Sequence, residues 1–566
     1  MSQATLSKRW TFRETPNVEE YFQLRDSLNL NDTLASTLWH RGVRDFEAAR
    51  RFFRPNDSNL HDPFKMKDMD KAVDRVIRAV NEAENILVYG DYDVDGTTAV
   101  ALVSSYLEEL TDKVATYIPD RYKEGYGLSR AGIEFAVDNG FSLIIALDCG
   151  IKAFEQADFA KEQSIDLIIC DHHTPGDHLP DAFAILDPKR EDCTYPFKEL
   201  SGCGVGYKLC LAIQRQKGWD EHELDPLLDL LAVSIGADIV PIVDENRILA
   251  IKGLEVINTR PRPAFDLIIK QAGKSKFSIM DVVFTIAPRI NAAGRIKHGS
   301  EAVELLKCGN NMQAQSVLAE INEHNKTRKD LDKSITEEAL RQVENEEELQ
   351  HSSVVFHTDW HKGVIGIVAS RLIETYYRPT IVLTESNGHL AGSARSVIGF
   401  NLYDALDACS EHLIQFGGHK YAAGMTLEES KWRYFARAFD AYVGEHLTEE
   451  MKVPEILVDA DLSISDITKR FYNNLIQFEP HGPENDKPVF RVAIENPSNI
   501  KKIGQDKNHL KFDMGGIDCI GFGLAEWHDA LKSESLEMLV HLEMNEFRGA
   551  QSLQLRILDI RRIGDI

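Results

Sequence analysis

Paired cysteines, membrane-length apolar runs and positive charge are what this 566-residue sequence is short of, and each shortage removes a class of protein. The eight cysteines contain no CxxC pair, and Cys149, Cys170 and Cys210 lie in apolar surroundings. A disulfide framework and a cysteine-ligated structural zinc are therefore not expected, and the thiols read as reduced core residues. No apolar run reaches the roughly 18 residues of a membrane helix. The opening MSQATLSKRW lacks the apolar core of a signal peptide, so a cytoplasmic location is expected. Lys and Arg number 64 against 90 Asp and Glu, a net charge of −26 that argues against indiscriminate nucleic-acid binding.

What is present is a globular composition, 43% hydrophobic and 27% charged, in a chain long enough for three to four domains of about 150 residues. One stretch runs against the acidic average. Between Arg247 and Lys297 ten basic residues face three acidic ones, a net of +7. Such a run is usually solvated surface, but beside a phosphate-handling site it would form a backbone-binding wall.

The most informative stretch is Asp91-Tyr-Asp-Val-Asp-Gly96. It follows the apolar run Ile86–Tyr89 and precedes Thr97–Leu110, where Val100, Val103, Tyr106, Leu107 and Leu110 recur at helical spacing. The acids thus stand where a strand ends and a helix begins. Asp-x-Asp-x-Asp-Gly also opens an EF-hand, but that loop needs a preceding helix and a bidentate Glu at its twelfth position. Here a strand comes first and the twelfth position is Leu102. From Ile86 to about Pro241 strands and helices alternate, which predicts a doubly wound parallel sheet. Two further apolar strands end on ligand-type residues, at Asp148 and at Asp171-His172-His173, and the segment Leu230–Pro241 carries an isolated Asp238 beyond its apolar stretch. An acid at one strand end is ordinarily a cap or turn residue. Acids or imidazoles at four such places would converge in one crevice, and mixed Asp and His ligands suit Mn²⁺ or Mg²⁺.

In order along the chain, DYDVDG, LDCG, DHH and GADIVP form a motif set that resembles the DHH phosphoesterase superfamily, and in particular its bacterial single-strand-specific exonucleases. YIPDRYKEGYGLS (Tyr117–Ser129), APRINAAGR (Ala287–Arg295), WHKGVIGIVASRL (Trp360–Leu372) and FGGHKYAAG (Phe416–Gly424) are similar to that family too, so the resemblance covers roughly residues 40 to 566. It implies a pair of divalent ions with Asp93 and Asp95 on opposite metals, Asp148 bridging, and His172 and Asp238 completing the second site. It also implies that His173 polarises the phosphate or protonates the leaving oxygen and that Arg289 neutralises charge on the scissile phosphate. Asp91 would orient a ligand, and Arg121, Tyr126, Asn291 and Arg295 would hold the nucleic acid.

Residues 300 to 348 read as connecting helices with an acidic end, and a second α/β unit follows. Within it a helix from Leu402 to Phe416 is expected to end in Gly417-Gly418. There Ser393, Arg395, Ser396, Gly417, Gly418, His419 and Lys420 supply the hydroxyls, close backbone approach and positive charge that a phosphate needs. From about Val453 the hydrophobic period changes to two, which predicts a small barrel or sheet. The resemblance makes the second unit a DHH-associated domain and the last an OB-like reader of single strands. The expected domains are 1–80, a helical arm; 81–300, the DHH domain; 301–348, connecting helices; 349–450, the DHH-associated domain; and 451–566, the OB-like domain. The expected activity is a 5′-to-3′ exonuclease releasing mononucleotides from single-stranded DNA in recombination and repair. A single-strand-binding protein and a RecQ-type helicase are the implied partners. A DHH phosphatase acting on pyrophosphate or short oligonucleotides and an inactive single-strand-binding scaffold are the alternatives.

Overall fold

Five parallel strands organise the first half of the computed structural model, which describes residues 8–14, 18–547 and 550–564. They are β1 (Ile86–Gly90), β2 (Val114–Tyr117), β3 (Leu143–Leu147), β4 (Asp166–Cys170) and β5 (Ala184–Leu186), ordered β2-β1-β3-β4-β5. Every residue of β1 and β3 is buried, as an unbroken apolar run predicts for strands covered on both faces. Ile86 and Val88 enter one core layer, shared with α1 (Val94–Glu108) and α2 (Gly202–Lys217). Leu87 and Tyr89 enter the opposite layer with Ile133 and Ala157. The chain winds from β1 outward to β2 and then returns to the other side at β3. The β1/β3 boundary is therefore the switch point at which open sheets of this kind form a crevice beyond their strand ends.

The apolar stretch before Asp238 is α3 (Leu228–Ala237), with Asp238 as its C-cap residue. This sheet lies in a compact unit of residues 54–329 joined by Pro480–Asp486. The second unit holds the described residues up to Phe53 together with 330–479 and 487–566. The change of unit falls inside the long helix Asn311–Glu344.

Within the second unit one sheet contains β6 (Ser353–Phe356), β7 (Thr380–Ser386), β8 (His389–Arg395), β9 (Gln415–Gly418) and β10 (Ala422–Leu427), ordered β9-β10-β8-β7-β6. The helix expected up to Phe416 stops at Ala408, and Gly417 and Gly418 lie in an edge strand instead. Two adjacent glycines are poor helix formers, and here they pair with Gly424 and Ala423 across a hairpin.

The C-terminal strands are β11 (Ala460–Asp461), β12 (Phe490–Ile494), β13 (Ser498–Ile503), β14 (His509–Met514), β15 (Ile517–Gly521), β16 (Leu536–Phe547) and β17 (Ala550–Arg562). They run β11-β12-β16-β17-β15-β14-β13, an open order with β11 and β13 at its ends rather than a closed barrel. Register shifts between Leu539 and Val540 and between Ser498 and Lys501 bend the sheet. The N-terminal helices Val18–Leu28, Asp32–Trp39 and Phe46–Phe53 are as helical as their periodicity predicts, but their core is this sheet's. Leu24, Leu34, Leu38 and Ala49 pack with Phe471, Phe490, Phe512 and Leu555. All eight cysteines are free thiols, and seven are buried. No helix among the described residues is long and apolar enough to cross a membrane.

Candidate metal centre

The register of the parallel sheet aligns the site. Gly90 pairs with Leu147, Leu147 with Cys170, and Cys170 with Leu186, so the next residues, Asp91, Asp148, Asp171 and Asp187, form one row along the strand ends. Backbone bonds from Asp148 N to Cys170 O and from Asp171 N to Leu186 O, 2.9 and 3.0 Å, extend the ladder to the acids themselves. All four carboxylates are buried. Asp148 is held at φ +58°, a conformation Asp tolerates better than most residues.

Helix α1 brings two more acids. Asp93 is its N-cap and accepts from Gly96 N at 3.0 Å. Asp95, in the first turn, accepts from Gly202 N (2.6 Å) and Cys203 N (2.9 Å) at the start of α2, and from Ser234 Oγ (2.6 Å) on α3. Gly96 permits this junction because a Cβ there would stand 2.4 Å from Asp91 O. Gly202 permits the approach of α2, since its Cβ would lie 2.5 Å from that of Asp148.

His172 stands where these elements meet. Its Nε2 is 3.2 Å from Asp148 Oδ1, 3.6 Å from Asp238 Oδ2 and 3.8 Å from Asp95 Oδ2. Asp148, His172 and His173 form one grouping whose ligand atoms lie within 4.8 Å of one another; Asp95, His172 and Asp238 form a second. Asp91 and Asp93 belong to neither.

Burial, followed by the charge of neighbouring acids, lifts Asp91, Asp93 and Asp148 above the usual carboxylate range and raises Asp238 to about 8. Burial lowers His172. The buried atoms Asp91 Oδ2, Asp148 Oδ1 and both ring nitrogens of His172 have no hydrogen-bond partner. Buried acids that repel one another, with acceptor atoms left unpaired, are an arrangement that divalent cations satisfy and that protein groups alone do not. The residues present fit such ions.

His173 is oriented differently. Its Nδ1 is 2.7 Å from Asp171 Oδ1 and its Nε2 is 3.2 Å from the Tyr126 hydroxyl, which in turn donates to Asp148 O at 3.3 Å. Burial disfavours the charged ring, but the Asp171 bond outweighs it and raises His173 to about 9. Burial likewise opposes charge on Asp171, but His173 and Ile151 N hold it at about 2.

Arg121 lies 4.6 Å from the centre of the Tyr92 ring, and both it and Arg295 bear electrostatically on Tyr92, between Asp91 and Asp93. Asn291 and Arg295 share the helix Ala287–Ile296. Arg289, on the same helix, donates to Asn322 Oδ1 (3.0 Å) and Thr285 O (2.5 Å). Burial alone lowers it, and none of the centre's carboxylates bears on its charge.

In the second unit, Ser393, Gly424 and Gly417 are register partners across β8, β10 and β9. Arg395 Nη1 donates to Ser393 Oγ at 3.2 Å, and both side chains approach Gly366 in the first turn of the helix Ile365–Tyr376. Ser396 Oγ donates to Phe400 O at 3.2 Å, His419 N donates to Ala422 O at 2.8 Å, and Lys420 Nζ lies 5.4 Å from the centre of the Tyr421 ring. A hydroxyl, a guanidinium and a helix N-terminus in one place suit an anion.

Most of the basic run between Arg247 and Lys297 is ion-paired or buried. Arg262 is paired with Asp229, Lys252 with Asp57, Lys270 with Asp266, Lys274 with Asp281 and Lys297 with Glu301, while Arg247 is buried. Asp57, Asp229 and Glu301 lie outside the run, where a count within it cannot register them.

Sequence reasoning also leaves four residues without a role. Asp171 has no role of its own in the DHH motif until the structure sets it against His173. Ser234 donates to Asp95 and is itself hydrogen-bonded at 2.6 Å to Ser201, the N-cap residue of α2. Asp187 ends a strand of only three residues, too short to announce itself. It is buried, raised to about 7 chiefly by that burial, and bonded from Lys189 N at 2.7 Å.

Comparison with known proteins covers most of the chain. Residues 85–235 match the DHH family, N-terminal domain; residues 348–445 match the DHHA1 domain; and residues 458–559 match the RecJ OB domain. The chain is 39% identical over 562 residues to the single-stranded-DNA-specific exonuclease RecJ of Bacillus subtilis, covering 97% of this chain and 70% of that one. It is 35% identical over 551 residues to the Salmonella typhimurium protein of the same name, covering 92% and 94%. The crystal structure of RecJ in complex with Mn²⁺ from Thermus thermophilus superposes with a TM-score of 0.84 at 26% identity, covering 98% and 79%.

Proposed function

This chain belongs to the RecJ family of single-stranded-DNA-specific exonucleases, and from that premise we propose that its buried acid row hydrolyses the phosphodiester bonds of single-stranded DNA from a strand end. The observation that carries the reading is the convergence of Asp95, Asp148, His172 and Asp238, with buried atoms of Asp148 and His172 left without hydrogen-bond partners. Asp93, Asp95, Asp148, His172 and Asp238 would hold two divalent ions, Mn²⁺ or Mg²⁺. Bound there, such ions supply an activated water and neutralise charge on the phosphate.

The remaining residues act on the strand. His173, oriented by its Nδ1 contact with Asp171, would present Nε2 to a phosphate or leaving oxygen that takes the place of the Tyr126 hydroxyl as its hydrogen-bond partner. Tyr126 links that nitrogen to the backbone of Asp148 and fixes the ring's direction. Arg121 and Arg295 hold the adjoining phosphates, and Asn291 contributes an amide from the same helix as Arg295. Arg289 would neutralise charge on the scissile phosphate; its Nη1 also donates to Thr285 O, in the segment Val282–Ile286 that precedes that helix. Ser393, Arg395, Ser396, Gly417, Gly418, His419 and Lys420 form an anion cradle on the second unit.

We further propose 5′-to-3′ polarity, release of mononucleotides, and work in recombination and repair in the cytoplasm beside a single-strand-binding protein and a RecQ-type helicase. Incubation with Mn²⁺ and labelled single-stranded DNA, duplex DNA or pyrophosphate tests the central reading. Single strands should be degraded while duplex and pyrophosphate persist. Preferential release of phosphate from pyrophosphate would instead identify a small-substrate phosphatase.

A further inference from the structure

Asp238 is carried on a strained connection, Ile239–Val243, between α3 and the helix Asp244–Thr259. Ile239 sits at φ +59° and Asp244 at φ +45°, left-handed values that a β-branched residue adopts only under constraint. Ile239 is also 67% exposed, so its own packing does not impose the conformation. The constraint has to come from the backbone's partners.

Those partners can be identified. Asn246 Nδ2 donates to Pro241 O (3.0 Å) and Glu199 O (2.6 Å). The backbone N–H of Ile242 donates to Pro483 O at 2.9 Å, and Arg247 Nη1 reaches Pro480 O at 3.5 Å. Pro480–Asp486 lies more than 230 residues further along the chain, between the helical turn Ile476–Phe478 and strand β12, yet it packs in the same unit as the acid row.

The segment is built to present that carbonyl. Gly482 and Asn485 exchange backbone bonds of 3.0 and 3.1 Å, closing a turn with Pro483 second and Glu484 third at φ +61°. The Asn485 side chain, 1% exposed, donates to Pro480 O at 2.7 Å. Gly482 lies directly on Ile242, where a Cβ would approach Ile242 Cγ1 to 2.5 Å.

We propose that the Gly482–Asn485 turn, supplied from within the C-terminal part of the sequence, is a positioning element that holds Asp238 in its metal-ligating place through Ile242. The proposal rests on the reading of Asp238 as a ligand. Through it the metal centre depends on a segment that the DHH region's own sequence does not contain.

Calorimetric titration of the metal-free full chain with Mn²⁺ tests this directly, with circular dichroism as the measure of folding. Gly482→Ala should weaken Mn²⁺ binding by about ten-fold or more, the usual effect of losing a ligand's support. Gly482→Ala combined with Ile242→Ala, which removes the clashing atom, should regain most of that loss. Asn485→Ser, which deletes the bond to Pro480 O, should weaken binding in the same direction and serves if Gly482→Ala does not fold. Unchanged Mn²⁺ affinity in the folded Gly482→Ala or Asn485→Ser protein would overturn the clamp. Asp238→Asn separates the two readings: if it binds Mn²⁺ as the wild type does, the ligand assignment fails and the clamp fails with it, whereas loss in Asp238→Asn with none in the turn variants defeats the clamp alone.

Discussion

At the scale of single residues, Asp148 is the most exacting position in the chain. It combines burial, a left-handed backbone, an unpaired Oδ1 and the shortest approach to His172. Asn tolerates the same φ and keeps the shape, so Asp148→Asn isolates the charge. We expect it to abolish nuclease activity while raising the thermal midpoint of the metal-free protein, because one of several mutually repelling buried acids is gone. The shift that Mn²⁺ produces in the wild-type midpoint should disappear. Retention of that shift in the Asn variant would remove Asp148 from the ligand set. Ser234→Ala is a milder probe of Asp95. Losing the 2.6 Å bond should raise the Mn²⁺ concentration needed for half-maximal activity by about ten-fold or more and leave the rate at saturation close to wild type. A lower saturating rate with an unchanged Mn²⁺ requirement would show that Ser234 does not act through the metal.

At the scale of elements, the strand-to-helix junction at Asp91–Gly96 decides the geometry, and Gly96 is the residue that allows it. Gly96→Ala should cost about 1–3 kcal/mol of stability by overpacking against Asp91 O and should inactivate the centre. Denaturant unfolding together with a rate assay checks both, and wild-type activity in the variant would refute the close approach. In the C-terminal sheet, burial first of all lowers His541 to about 4, with its Nδ1 bonded to Pro488 O. A histidine lowered in the folded state leaves stability unaffected above the unfolded value near 6.5 and erodes it as pH falls from there toward 4. The loss amounts to up to about 3 kcal/mol. His541→Gln should flatten that part of the stability–pH curve, and an unchanged curve would show that the ring does not carry it. The strands ending on Asp91, Asp148 and Asp171 are legible because unbroken apolar runs stop at acids, and the register then aligns them. Asp187 is not legible, since three residues show no periodicity. Gly417-Gly418 reads falsely as a helix end because the pairing partner, Ala422–Leu427, lies across a hairpin that local propensity does not encode. The basic run misleads in part for the same reason, since Arg262 and Lys252 find their counter-charges at Asp229 and Asp57, far away in sequence.

At the scale of the whole molecule, the two ends of the described chain share one core, which no local pattern announces. Leu34 and Leu38 pack with Phe490 and Phe512, so the N-terminal helices are part of the C-terminal domain's interior rather than a separate arm. Leu34→Ala should therefore destabilise the C-terminal sheet by about 2–5 kcal/mol, read as increased proteolysis after Val453, and unaltered protection there would separate the two regions. The most direct test of the account as a whole compares a closed circular single strand of DNA with its linear form, under identical conditions with Mn²⁺. The linear strand should be consumed to mononucleotides, the circle should survive, and a chelator should stop the reaction. Equal degradation of circle and line would contradict the account and identify an endonuclease.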